Sequence, residues 1–266
     1  EARPLSKMED SFFGIVPGRM ESVNLAPYAT RGFADEEAGD REGGWTDQGS
    51  NDFRMMPTGR VTETDNIPFE IIDPAKNGGK SCIVLAGTER PYFPLAVKDI
   101  KVGQKFSRLF FLHTAAWGDA PNAGRYRIRY ADGKCVDLPL VGKRNIADWW
   151  KPFPLPEARA GIFRRNPAGH NVGTFVMEWR NPRPQTEIAS IDFLSPLYRE
   201  KAEIDWAPTA TAVPVLIAIS GEKPHPNPVE ITGKAYRRLL PCKDIGSKTE
   251  GQVRERRNNG KREWNI

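Results

Sequence analysis

The sequence predicts an all-β protein, a jelly-roll-like antiparallel sandwich of about eight or nine strands with long loops and a charged C-terminal extension. Gly 24 and Pro 23 in 266 residues favour turns and short strands over long helices. Short apolar or alternating runs recur along the chain. One pair of them flanks Asp132-Gly133, the strongest short-range hairpin signal. At 39% hydrophobic and 27% charged residues the composition can furnish a sizeable core. The pattern divides the chain into an N-terminal lead at 1–20, a sandwich at 21–221 and a charged extension at 222–266.

The first alternating run is 21–25. From 26 to about 65 there is almost no period, a stretch far longer than the usual connection of ~4–6 residues. Its tryptophan, phenylalanine and methionine content argues against disorder. Strand runs follow at 67–72, 81–86, 106–114, 125–130, 134–140, 174–179, 188–193 and 213–219. Those at 106–114 and 213–219 are apolar nearly throughout, as expected of central strands covered on both sides. Pro214 fits the first positions of a strand. In the hairpin, Tyr126, Ile128 and Tyr130 share one face, and Arg125, Arg127 and Arg129 share the other. That arginine ladder reads as a solvated face, with anion binding as the alternative. After Ser220 the pattern breaks at a proline-rich stretch, 223–228, and the remainder is charged.

Several function classes lack their signature. The net charge is +5, but 34 acidic residues lie among 39 basic ones, so no nucleic-acid partner is indicated. No apolar run approaches the ~20 residues that a membrane helix needs. Cys82, Cys135 and Cys242 lie far apart and signal neither a zinc site nor a disulfide framework. There is no nucleophile elbow, phosphate-binding loop or zinc-protease motif, and His113, His170 and His225 stand alone. His113 ends a buried run and reads as a satisfied core histidine, with a catalytic base as the alternative. Asp148 beside Trp149-Trp150, and Glu178 beside Trp179, keep a glycosidase open, because that chemistry needs two carboxyl groups flanking one bond.

The chemistry is densest in Gly43-Gly44-Trp45-Thr46-Asp47-Gln48-Gly49-Ser50-Asn51-Asp52-Phe53-Arg54. Sugar rings pack apolar C–H patches on indole faces, while their hydroxyls require the forked donors and acceptors of Asp, Asn, Gln and Arg. Trp45, Asp47, Gln48, Asn51, Asp52 and Arg54 are therefore candidate ligand-binding residues, with Trp117 and Trp149 as neighbours. Trp45 has a second reading, as a plug at the bottom of the sandwich. A hard cation is a further alternative, with Asp40, Asp47 and Asp52 offering oxygens to calcium.

Phrases along the chain resemble galactose-binding-like β-sandwich modules, carbohydrate-binding-module-like domains associated with bacterial polysaccharide-degrading enzymes. They are Val23 to Tyr28, the Gly43 to Arg54 loop, Phe110 to Ala115, Arg129 to Gly133, Ala147 to Trp150, Glu178 to Pro182 and Ile188 to Phe193. The resemblance covers about residues 21 to 220. It implies a jelly roll and non-catalytic work on a polysaccharide or oligosaccharide. It also implies a secreted, periplasmic or cell-surface location, and it supplies no matched set of binding residues. Two competing readings remain beside the binding or accessory module. One is a structural or assembly protein that contacts other protein subunits or domains; the other is a glycosidase or lyase domain.

Overall fold

The computed structural model describes residues 19–200, 210–225 and 240–241. Among them, strands run in chain order as β1 (Met20–Ser22), β2 (Gly59–Val61), β3 (Phe69–Ile71), β4 (Ile83–Val84) and β5 (Ala96–Gln104). Next come β6 (Arg108–Ala116), β7 (Gly124–Tyr130), β8 (Lys134–Leu140), β9 (Arg159–Arg165), β10 (Asn171–Arg180) and β11 (Ile188–Leu194). The last two are β12 (Val213–Glu222) and β13 (Leu240–Pro241). One sheet has the order β1-β12-β6-β10-β9, with β4 also on β12; the other has β13-β8-β7-β11-β5. All their ladders are antiparallel. The all-β sandwich expected from the pattern is the fold.

Two apolar cores explain why β6 and β12 read as apolar throughout. Leu109 and Phe111 of β6 pack between the sheets with Tyr126, Ile128, Leu138, Ile191 and Phe193. Phe110 and Leu112 point the other way, into a second core built with Trp45, Phe53, Ile67, Phe69 and Ile71. Side chains alternate across a strand, so a strand with both faces covered has no polar positions to show. The aperiodic segment and the β2-β3 ribbon therefore form a layer over the outer face of the first sheet.

Each of the expected runs overlaps an observed strand, and β2, β5, β9 and β13 are additional. β5 and β9 end their sheets and each buries a single side chain, Ile100 and Ile162. Their Lys98, Asp99 and Lys101, and Arg159, Arg164 and Arg165, are the charges that blunt an edge against unwanted pairing. The hairpin forms as expected: β7 and β8 pair with Tyr126 opposite Leu138, and Gly133 turns with φ 80°. The arginine ladder is an ion-pair face. Arg127 lies 2.6 Å from Asp137, and Arg129 lies 2.7 Å from Asp192.

The division after residue 221 falls inside β12, which ends at Glu222. Glu222 is buried, its carboxylate 2.7 Å from Arg108 Nε, and its carbonyl accepts the Ser107 N–H at 2.7 Å. Farther on, Leu240 pairs opposite Cys135, so the charged extension contributes a strand to the second sheet. The cysteine expectation needs correction. Cys135 is disulfide-bonded and Cys82 is a buried free thiol. Cys242, the third in the chain, follows β13 directly and lies outside the described residues. Sequence spacing does not reveal a bridge between cysteines that only the fold brings together.

Candidate functional site

The glycine-rich loop folds around one carboxylate. A Cβ at Gly44 would stand 2.5 Å from Asp35 Cβ, so glycine there lets the chain pass directly over Asp35. Asp35 Oδ2 accepts the Gly49 N–H at 2.7 Å, and Asp52 Oδ2 accepts the Asp35 N–H at 2.7 Å. Asp52 also receives the Arg54 N–H at 3.0 Å and its Nε at 2.9 Å, while Arg54 Nη2 donates to the Asp35 carbonyl at 2.7 Å. Asp52 and Arg54 therefore clamp the two ends of the loop together. Asp52 is fully buried, which removes it from ligand contact.

Trp45 takes the second of its two readings. It has no solvent exposure, stacks on Phe53 at 5.8 Å and meets Trp149 edge-on at 5.1 Å. The loop's glycines and aspartates shape backbone, and its indole completes the outer core. The expectation of a Trp45 ligand platform is corrected accordingly.

The cation alternative survives with a different ligand set. Asp35, Asp40 and Asp47 each bring a carboxylate oxygen within 4.8 Å of the others, whereas Asp52 is committed to the clamp. Asp47 Oδ1 accepts the Gly39 N–H at 2.8 Å and the Arg41 N–H at 3.3 Å, and Oδ2 accepts the Tyr92 hydroxyl. Burial opposes ionisation of Asp47, but these donors and Arg90 together hold its carboxyl below the usual range. The Tyr92 phenol is pushed up to about 12 by burial and by this carboxylate. Asp35 is 1% exposed and its Oδ1 has no hydrogen-bond partner; the buried hydroxyl of Thr46, beside Asp47, has none either. An orphaned carboxylate oxygen is costly to bury, and a hard divalent ion such as calcium takes oxygen ligands of this kind. The residues fit such an ion, held by Asp35, Asp40 and Asp47, as a cross-link of the loop with no chemical step.

The remaining candidates meet at the end of β6. Trp117 leaves the strand with φ 52°, a left-handed conformation rare for an aromatic residue. Segment 147–151 crosses this strand end: Trp149 N–H donates to the Ala115 carbonyl at 2.8 Å, and Gly173 N–H to the Trp149 carbonyl at 2.8 Å. Consecutive side chains of an extended segment point to opposite sides. Trp149 accordingly goes inward, 2% exposed, and Trp150 stays half-buried at the surface, 4.2 Å from the His170 ring. Asp148 ties the two indoles' backbones, accepting the Trp150 N–H at 2.8 Å and the Gly118 N–H at 3.3 Å. Burial pushes its carboxyl upward against these donors.

The result is a cleft of about 540 Å³ lined by Gln48, Asn51, Trp117, Asp119, Asp148 and Trp150, with Trp149 behind them. Gln48 Oε1 accepts from Asn51 Nδ2 at 3.4 Å, and Asn51 Oδ1 accepts from Asn166 Nδ2 at 2.6 Å, so the amides are held in place. Four of the expected residues, Gln48, Asn51, Trp117 and Trp149, are thus brought together. Asp47 goes to the cation cluster, and Trp45, Asp52 and Arg54 go to the scaffold. Sequence reasoning missed Asp35 and Asp119, weighed Asp148 only as a glycosidase carboxylate, and placed Trp149 rather than Trp150 of the adjacent pair in the binding site. The adjacent Trp149-Trp150 pair carried the signal, because one of two successive side chains in an extended chain must face outward.

A larger groove, about 680 Å³, runs along β10 beside Leu138, Met177, Trp179 and Arg180. Its charged groups are tied up locally: Arg159 with Asp65 at 2.6 Å and Glu157 with Arg144 at 2.5 Å. Glu178 lies 3.5 Å from Arg108 and 3.4 Å from Arg180. His113 is a core residue. Its Nε2 donates to the Asn145 carbonyl at 2.9 Å, its Nδ1 accepts the Tyr126 hydroxyl at 3.0 Å, and burial lowers its pKa to about 4. No family model matches the sequence, and no curated protein or solved structure matches it significantly.

Proposed function

We propose that this protein is a non-catalytic carbohydrate-binding or accessory β-sandwich module whose ligand site is the cleft at the end of β6. The observation that carries the reading is the pairing of two half-buried indoles, Trp117 and Trp150, with the amides of Gln48 and Asn51 and the carboxylates of Asp119 and Asp148. Indole faces receive the apolar patches of a sugar ring; amides and carboxylates receive its hydroxyls. Trp117 is further fixed by the Arg90 guanidinium, 4.7 Å over its ring. A left-handed tryptophan held by such packing is backbone strain of the sort that gathers at binding sites. The cation loop supports the same wall, since Asp47 precedes Gln48 and its carbonyl accepts from Arg90 at 3.2 Å. The bonded Cys135 favours an oxidising compartment, in keeping with a secreted or cell-surface protein.

The test is affinity electrophoresis against a panel of soluble polysaccharides. Trp150→Ala should abolish retention while leaving the melting temperature within a few degrees. Retention unchanged in both Trp150→Ala and Trp117→Ala would remove the cleft as the site.

A further inference from the structure

The geometry points to a cleft selective for uncharged sugars: we propose that it takes a neutral glycan and excludes uronate-bearing or sulfated ones. This rests on the carbohydrate reading above and names the ligand class for that same site. Among the described residues that line the cleft, the only charged side chains are Asp119 and Asp148. Asp148 lines the cleft and receives backbone N–H groups, with no cation beside it among the described residues to offset its charge. Asp119 has Lys143 at 2.9 Å, but both side chains are more than half exposed, where such a pair contributes little.

The guanidinium that packs on Trp117 is held by the backbone. Arg90 donates its Nε to the Thr46 carbonyl at 2.9 Å, Nη1 to the Glu89 carbonyl at 2.8 Å and Nη2 to the Asp47 carbonyl at 3.2 Å, and its face lies on Trp117. Three of its five N–H donors are thus committed to backbone carbonyls, and its ring-facing side is taken by the indole. Recognition of a carboxylate or sulfate normally uses forked, charge-assisted donors, which this lining lacks. A sugar hydroxyl can donate to either aspartate, whereas a ligand carboxylate can only be repelled by them. Like charges brought together during binding act as an exclusion device.

The experiment uses the full chain in mildly alkaline, low-salt buffer, where surface fields are least screened. Retention is measured on neutral polysaccharides (glucans, galactans, mannans, xylans) and on polygalacturonate and sulfated galactan. The expected result is retention on at least one neutral polymer and at least about tenfold weaker binding to the anionic counterpart of the same sugar. Asp119→Lys, an exposed change, should raise binding of the anionic polymer with no change in melting temperature, and Trp150→Ala should abolish neutral retention. Equal or tighter binding of the anionic polymer by the native chain overturns the selectivity and leaves the carbohydrate reading intact. Failure to retain any polymer overturns both.

Discussion

Trp45 sits closed between Phe53 and Trp149, so truncating it removes a large aromatic from a packed core. Trp45→Ala should cost roughly 3 to 5 kcal/mol and lower the melting temperature with or without ligand, as aromatic truncations in cores do. A loss below about 1 kcal/mol by urea denaturation would contradict its core role. His113 makes a pH prediction. Burial lowers its pKa from 6.5 to about 4, so between those values the unfolded chain takes up a proton that the folded chain refuses. Stability therefore rises with pH across that window and is lost on acidification, by up to roughly 3 kcal/mol from this group. The urea midpoint followed from neutral to acid pH checks the slope, and an assigned His113 imidazole signal titrating near 6.5 in the folded protein would contradict it.

Among the elements, the β7-β8 hairpin was the most legible, because its signal is local: Gly133 must adopt φ 80°, and alternation fixes which face is buried. Nothing lies within 4 Å of a Cβ added at Gly133, so Gly133→Ala should cost only the left-handed conformational penalty, about 1 to 2 kcal/mol. Gly44→Ala should cost more, since its Cβ collides with Asp35 and the loop must open. Equal melting temperatures for the two variants would contradict that order. Legibility fell where tertiary context decides. β5 and β9 carry charge because they are edges, which hides them from an apolar pattern. Trp45 and Trp150 are both tryptophans of aperiodic stretches, and only the packing separates the plug from the half-buried ring at the surface. Asp35 escaped notice because its partners are Gly44, Gly49 and Asp52, whose approach depends on left-handed turns at Gly39, Arg41, Gly43, Asp47 and Gly49.

At the scale of the whole molecule, the aperiodic segment is a covering layer that seals the first sheet and, through Gln48 and Asn51, forms one wall of the cleft. Its own hydrogen bonds leave Trp45 Nε1, the Thr46 and Thr64 hydroxyls and Asp35 Oδ1 unmet, and the last of these belongs to a carboxylate clustered with Asp40 and Asp47. An ion there would bind the folded loop and not the unfolded chain, so it would stabilise the protein by mass action, by about 2.7 kcal/mol at a free concentration a hundred times its Kd. Chelation should therefore lower the melting temperature, and calcium should restore it, more effectively than magnesium because the smaller ion demands a stricter octahedron. Asp35→Asn should abolish the difference between chelated and calcium-loaded protein. The two charges at the cluster's other corners should rank differently: Asp40 is exposed and replaceable, while Asp47 also anchors Gly39, Arg41 and Tyr92. Asp40→Asn should therefore weaken the calcium response without lowering the chelated baseline, and Asp47→Asn should lower both. Identical melting curves with chelator and with calcium would show that the orphaned oxygen is met in some other way, and the covering layer would then stand on its clamp and its aromatic core alone.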